Sequence, residues 1–251
     1  MLSRYAAVGC LTTALASILC LAATPAKADL VLETETAQIG KRGQFNISNA
    51  LQIEKDSEGK TFLTETQYEY GLSDRSELLI EPFFYERQMP KDGASSSGVG
   101  DVEVTYSYMI KKENGAWPAI LLAQKVKIPT ATNRDIGTGK FDYQSYAIIG
   151  KTWGAVELNI NVGYEFVGKV DTADLKNQVI YDASLDFPVG PKLTLFVEGY
   201  GNSSPEQGLK SSQAISFGSE YQLTKRANVF FAVGDDTDDL KFARIGINYG
   251  F

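Results

Sequence analysis

From about Gln44 to the C-terminus the chain alternates apolar and polar residues with a period of two. That is the repeat of a β-strand whose two faces meet different surroundings. In 156–167, Val156, Leu158, Ile160, Val162, Tyr164 and Phe166 share one face, and Glu157, Asn159, Asn161, Gly163 and Glu165 the other. The pattern returns in 179–187 and in the last residues, where Ala243, Ile245, Ile247, Tyr249 and Phe251 oppose Arg244, Gly246, Asn248 and Gly250. Read throughout, it gives twelve strands at roughly 43–55, 60–71, 76–88, 101–112, 117–128, 141–152, 155–168, 177–187, 192–202, 211–223, 227–235 and 239–251. The faces are least distinct in 141–152, where Tyr146, Ala147, Ile148 and Ile149 are consecutive. Residues 29–41 precede the first strand and read as an N-terminal arm or plug, because single-chain bacterial barrels are usually even-stranded.

Alternation alone does not say which face is wet, since a soluble barrel with an apolar core has the same period. Three features decide for an apolar exterior. The strands are longer than the ~5–6 residues usual in globular sheets and suit a tilted membrane crossing. The polar face carries repeated charges, which a dry core could not hold cheaply. Aromatics on the apolar face collect at strand ends. Phe45, Tyr70, Tyr108, Phe187, Tyr221, Tyr249 and Phe251 lie at one end, with Trp117 nearby, and Phe84, Tyr164 and Phe166 at the other. Such a double girdle belongs to membrane barrels. The longer linkers, such as 89–100, 129–140 and 203–210, all fall at one end of an up-and-down meander, and both termini fall at the other. The expected fold is all-β: one transmembrane antiparallel up-and-down barrel spanning 42–251, with its long loops outside the cell.

Composition narrows the function. The 251 residues carry 24 Lys plus Arg against 31 Asp plus Glu and no histidine. An acidic chain is a poor nucleic-acid binder, because such binding needs clustered bases to displace counterions. Without histidine there is no Ser-His or Cys-His nucleophile pair and no His-ligated zinc or iron. Both cysteines, Cys10 and Cys20, lie in the first 28 residues. Those residues read as a cleaved secretory signal. Arg4 is its positive start, 6–23 its apolar stretch, and Ala26-Lys27-Ala28 its cleavage site. Beyond them the longest apolar run, Trp117 to Ala123, is seven residues, far short of a membrane helix.

Three short motifs carry a resemblance. The ending Ile245-Gly-Ile247-Asn-Tyr249-Gly-Phe251 resembles the insertion signal of outer-membrane proteins, which implies recognition of Phe251 by the barrel-assembly machinery. Gly98-Val99-Gly100-Asp101-Val102 resembles a motif of an outer-membrane channel family named for the meta-pathway of phenol degradation. Ile128-Pro129-Thr130 followed by Gly137-Thr138-Gly139 is similar to a second motif of it, although Ala131 stands where glycine is expected. The resemblance spans nearly all of the mature chain. It implies passage of small solutes, hydrophobic or aromatic compounds among them, and contact with outer-membrane lipids and lipopolysaccharide.

On the polar face, the candidate pore-lining carboxylates are Glu65, Glu69, Glu81, Glu103, Glu157, Glu165, Asp182, Asp186, Glu198 and Glu220. Asn159 and Asn161 join them, with the bases Arg87, Lys125, Lys127 and Arg244, and Lys111 and Lys192 are further inward bases. No pair of carboxylates stands out as a general acid and base, so cross-strand ion pairs in a wet lumen are the reading and no enzyme is expected. Asp235, Asp236, Asp238 and Asp239 crowd together but lack the glycine and glutamate of a calcium-binding loop, and no metal or cofactor is expected. The leading function is a narrow pore for passive or facilitated passage of small solutes. The alternative is a closed structural or surface-binding barrel. The loop-length argument is checked by single cysteines in intact cells. Cysteine at Ser96, Thr132 or Thr237 should react with an impermeant maleimide, and cysteine at Ser73 or Asn114 should not.

Overall fold

The computed structural model describes residues 33–206 and 209–251; the segment read as a signal, 1–28, lies outside the described residues, as do 29–32. The strands are β1 (Phe45–Lys55), β2 (Gly59–Ser73), β3 (Ser76–Pro90), β4 (Ser96–Gly98), β5 (Val102–Lys111), β6 (Ala119–Ile128) and β7 (Asp142–Trp153). They continue as β8 (Val156–Phe166), β9 (Gln178–Pro188), β10 (Leu193–Asn202), β11 (Ser212–Gln222), β12 (Ala227–Asp236) and β13 (Lys241–Gly250). Each long strand pairs antiparallel with its neighbours in chain order. β1 pairs with both β2 and β13, and the ring is complete. Beyond β13, Phe251 N–H donates to Phe45 O at 2.9 Å, which ties the last residue to the first strand.

β3 pairs directly with β5, so the three-residue β4 stands outside the ring of twelve. It folds back on the upper part of β3, with Glu86 opposite Gly98 and Gln88 opposite Ser96. The sequence places 89–100 in a loop; the structure carries β3 to Pro90 and returns through β4.

Closure leaves no strand edge, which is what hydrocarbon demands of a sheet. The outward side chains form an apolar belt: Leu51 and Ile53 on β1, Phe217 on β11, and Ile245 on β13 are each about half exposed. A water-soluble protein does not surround itself with such a surface. Tyr70, Tyr108, Phe187 and Tyr221 sit exposed toward the short-turn end, and Phe84, Tyr164 and Phe166 toward the long-loop end. The inward positions of β1 are Asn46, Ser48, Ala50 and Gln52, all buried. In β7, Tyr146 and Ile148 turn inward and are buried, while Ala147 and Ile149 face out.

Two irregularities correct the sequence reading. Thr64 pairs with Tyr85 and Glu65 with Phe83, so Phe84 is an extra residue and β3 bulges there. A single inserted residue reverses the parity of everything beyond it. Glu81, below the bulge, points inward. Above it Glu86 and Gln88 point inward, and Arg87 stands exposed on the outer face, not in the lumen. In β5, Met109 pairs with Leu121 and Lys111 with Ile120, so Ile110 is the extra residue. Lys111 is thereby swung out, its Nζ 3.8 Å from the Trp117 ring centroid.

Three inward phenylalanines lie flat against glycines on the neighbouring strand. Phe196 faces Gly218, Phe230 faces Gly246 and Phe242 faces Gly234. A Cβ at these glycines would come within 2.2–2.3 Å of the rings, so only glycine lets the rings hug the wall.

Ile160 faces out and its neighbour Asn161 faces in, 4% exposed. Ile160→Arg should destabilise the lipid-folded barrel by about 2–4 kcal/mol. Asn161→Arg, set among lumen carboxylates, should keep wild-type heat-modifiable migration. Urea titration of the two variants in liposomes checks the difference.

Candidate functional site: the occluded lumen

Residues 33–44 run inside the barrel, descending from mid-height at Glu33 to the short-turn end, where β1 begins. Gly43 and Gln44 bond to Gly71 of β2, but from 33 to 41 the segment has no strand partner among the described residues, so its N–H groups must find acceptors elsewhere. The wall supplies them. Gly40 N–H donates to Glu77 Oε2 at 2.8 Å, Ala37 N–H to Asn159 Oδ1 at 2.8 Å, and Thr34 N–H to Glu198 Oε1 at 2.5 Å. Gln38 Nε2 donates to both oxygens of Glu157, at 2.8 and 2.9 Å.

The arm also completes the lumen's ion pairs. Lys125 Nζ lies 3.3 Å from Glu81, 3.2 Å from Glu103 and 3.9 Å from Glu35 of the arm. The Tyr146 hydroxyl donates to Glu35 as well. Arg244 Nη2 lies 3.4 Å from both Glu65 and Glu33 of the arm, and its Nε donates to Gln52. Taking charges out of water is costly unless they are paired, and here one base serves two or three carboxylates.

Beneath the polar contacts is an apolar seat. Ala37 packs into a buried cluster with Met109, Ala119, Leu121, Ala123, Tyr146 and Ile148, and Ile39 covers its edge. This explains why β6 and β7 lose their alternation: both of their faces are apolar because the arm covers the inner one. The wall yields to admit it at Gly150, where a Cβ would meet Ala37 Cβ at 2.3 Å.

All ten carboxylates singled out in the sequence lie on inward strand positions, Asp186 and Glu220 toward the short-turn end. Glu69 accepts from Asn46 Nδ2 at 2.9 Å, and Glu165 from Gln144 Nε2 at 3.2 Å. Of the bases, Lys125, Lys127 and Arg244 face inward; Arg87 and Lys111 are turned out by the bulges, and Lys192 sits exposed in a turn. Glu54, Glu77, Glu86, Asp142 and the arm's Glu33 and Glu35 also belong to the lumen and were not singled out. A charged residue interrupting an apolar arm is the one signal that could have marked Glu33 and Glu35.

The motifs behind the family resemblance meet at the mouth. Val99 N–H donates to Thr132 Oγ1 and Thr132 N–H to Val99 O, both at 3.0 Å. Asp101 Oδ1 accepts from Ala131 N–H at 2.9 Å. Lys127 lies 3.8 Å from Asp101 and also pairs with Asp142, which accepts from Gly168 N–H at 2.7 Å. A Cβ at Gly137 would lie 2.4 Å from Ala131 Cβ, so the glycine here makes room for the alanine there. The motifs clasp the loops after β4, β6 and β8 into one rim.

Above the arm, toward the long-loop end, a cavity of about 450 Å³ is floored by Glu33 and Glu35. A second space of about 400 Å³ lies at the mouth and shares Glu54 and Leu240 with it.

A closed twelve-stranded ring with an apolar outside, aromatic girdles and a charged, partly filled inside is an outer-membrane β-barrel. The chain belongs to the family described as "Putative MetA-pathway of phenol degradation", whose model matches residues 34–244. No curated protein matches it in sequence. Among solved structures it is similar to the COG4313 outer membrane channel from Pseudomonas putida F1, at 14% identity and a TM-score of 0.66, over 90% of this chain and 100% of that one. It is also similar to the NanC porin, at 12% identity and a TM-score of 0.60, over 81% of this chain and 98% of that one. The KdgM porin, solved in complex with disordered oligogalacturonate, gives 13% identity and a TM-score of 0.57, over 81% of this chain and 99% of that one.

Gly150→Val should push the arm off its seat without breaking a strand that tolerates valine. Thr34→Cys, buried against β10, should label slowly in an otherwise unchanged chain and at least tenfold faster beside Gly150→Val. Maleimide kinetics on the refolded barrel measure the ratio.

Proposed function

We propose that this protein is a narrow outer-membrane pore for small solutes, with residues 29–41 acting as an internal plug. The observation that carries the reading is the way the arm is held. Side-chain acceptors and ion pairs grip it, with no continuous sheet hydrogen bonding, so it can be displaced without opening the barrel. Twelve strands fall between the eight that give a filled interior and the sixteen or more that give a wide channel. The space left above the arm supports a route entered from the long-loop end.

The solutes are small, and the family's description points toward hydrophobic or aromatic compounds. The lumen's own chemistry adds a charge preference. Acidic groups outnumber the three inward bases, and low-dielectric walls focus their field, so cations are favoured over anions. We assign no enzymatic role: many of the inward carboxylates hold the arm and the bases, and no pair of them stands out as a general acid and base. Insertion proceeds through the barrel-assembly machinery reading Phe251, and the outer rim meets lipopolysaccharide.

The test is planar-bilayer recording on refolded protein. The mature chain should conduct weakly, and a variant lacking residues 29–41 should conduct several-fold more. Both should prefer cations, less so at high salt, because screening shortens the field's reach. Glu65→Gln with Glu157→Gln should lower the preference. Anion selectivity would overturn the charge argument. A folded, arm-less barrel with no conductance would favour the closed structural or surface-binding reading.

A further inference from the structure

We infer that the cavity above the arm is a binding site for a protonated primary amine carrying a compact apolar or aromatic body. The inference rests on the pore reading and names the chemical class of its solute.

Charge is the first ground. Among the described residues Lys125 and Arg244 are already shared among carboxylates of the wall and arm. Glu54, Glu165 and Asp182 line the same cavity and make no ion pair with a lysine or arginine among the described residues. Among the described residues, Glu54 and Glu165 accept from the amides of Gln52 and Gln144. Buried charge is tolerated where it is paired, so half-buried carboxylates facing one space from opposite walls, Glu54 on β1 and Glu165 and Asp182 on β8 and β9, mark a place for a cation.

The second ground is independent of charge. Asn161 is 96% buried, and its Oδ1 has no hydrogen-bond partner among the described residues; it lines this cavity. Asp182 Oδ1 and Asn202 Oδ1 are likewise buried and without a donor, and both line it. Orphaned buried acceptors are rare, and three on residues that line one space favour a ligand that donates. A primary ammonium offers three N–H donors and one positive charge.

Size and shape favour an organic cation over a bare ion. A cavity of about 450 Å³ is within the range of small-molecule sites. No group of described acidic residues converges closely enough to hold a metal. Ile180, Tyr200 and Phe242 line the cavity beside the acceptors and give an apolar body something to pack against. Tyr146, on the arm's side, provides a further ring.

The experiment is isothermal titration of the refolded full chain with 2-phenylethylammonium, benzyltrimethylammonium and the neutral 2-phenylethanol, with single-channel recording on the same preparations. The primary ammonium should bind saturably with unit stoichiometry. The quaternary ion, which cannot donate, should bind at least tenfold more weakly, and the alcohol weaker still. Asp182→Asn with Glu165→Gln, checked for heat-modifiable migration, should weaken the primary ammonium at least tenfold. Equal binding of the alcohol, or no saturable binding by wild type, overturns the inference. Conductance without amine binding leaves the pore reading intact and removes the site. Amine binding without conductance, in the chain and in its arm-less variant, keeps the site and removes the pore.

Discussion

No backbone polar group can face hydrocarbon unpaired, and everything else in this molecule follows from that constraint. It forces the sheet to close, with β1 bonded to β13, and closure creates an inside. Once there is an inside, each residue's parity along its strand decides whether it meets lipid or lumen. That is why the bulges at Phe84 and Ile110 matter more than any point substitution could. One extra residue in each of β3 and β5 sends Arg87 and Lys111 to the outer face and leaves the described lumen with three bases on its strands facing many acids.

The same constraint acts a second time within the lumen. A chain segment lying inside a barrel has no strand to bond to, so its N–H groups need side-chain acceptors. Glu77, Asn159 and Glu198 meet that need, which gives part of the acidic wall a structural use. Lys125 and Arg244 then bind wall and arm together, each shared between carboxylates of both. What these contacts do not use remains above the arm, where Glu54, Glu165 and Asp182 face an open space. Occlusion below and unspent acidity above are two consequences of one arrangement.

The rim is built on another principle. Long loops cost conformational entropy to order, and the clasp between Val99, Asp101, Ala131 and Thr132 orders two of them with three hydrogen bonds. Lys127 extends the clasp to Asp142, and Asp142 reaches Gly168. The family motifs therefore mark the mouth, and residues far apart in the chain acquire their meaning from one junction.

The sequence by itself determined the class of fold, the twelve crossings, the sense of the faces and the inward set of ten carboxylates, because a period of two is a local property that survives any tertiary detail. It also held a trace of the arm's seat in the failed alternation of 117–123 and 146–149, which is read correctly only once something is known to cover the inner face. The tertiary structure alone decided where parity breaks. A bulge is a mismatch between two strands, and neither strand records it: Arg87 looks inward by counting and is outward by pairing with Phe62. It alone decided, too, which acids hold the arm, which hold bases and which are left over. Those assignments depend on distances across the lumen between residues such as Glu33 and Arg244, separated by most of the chain and brought together by closure of the ring.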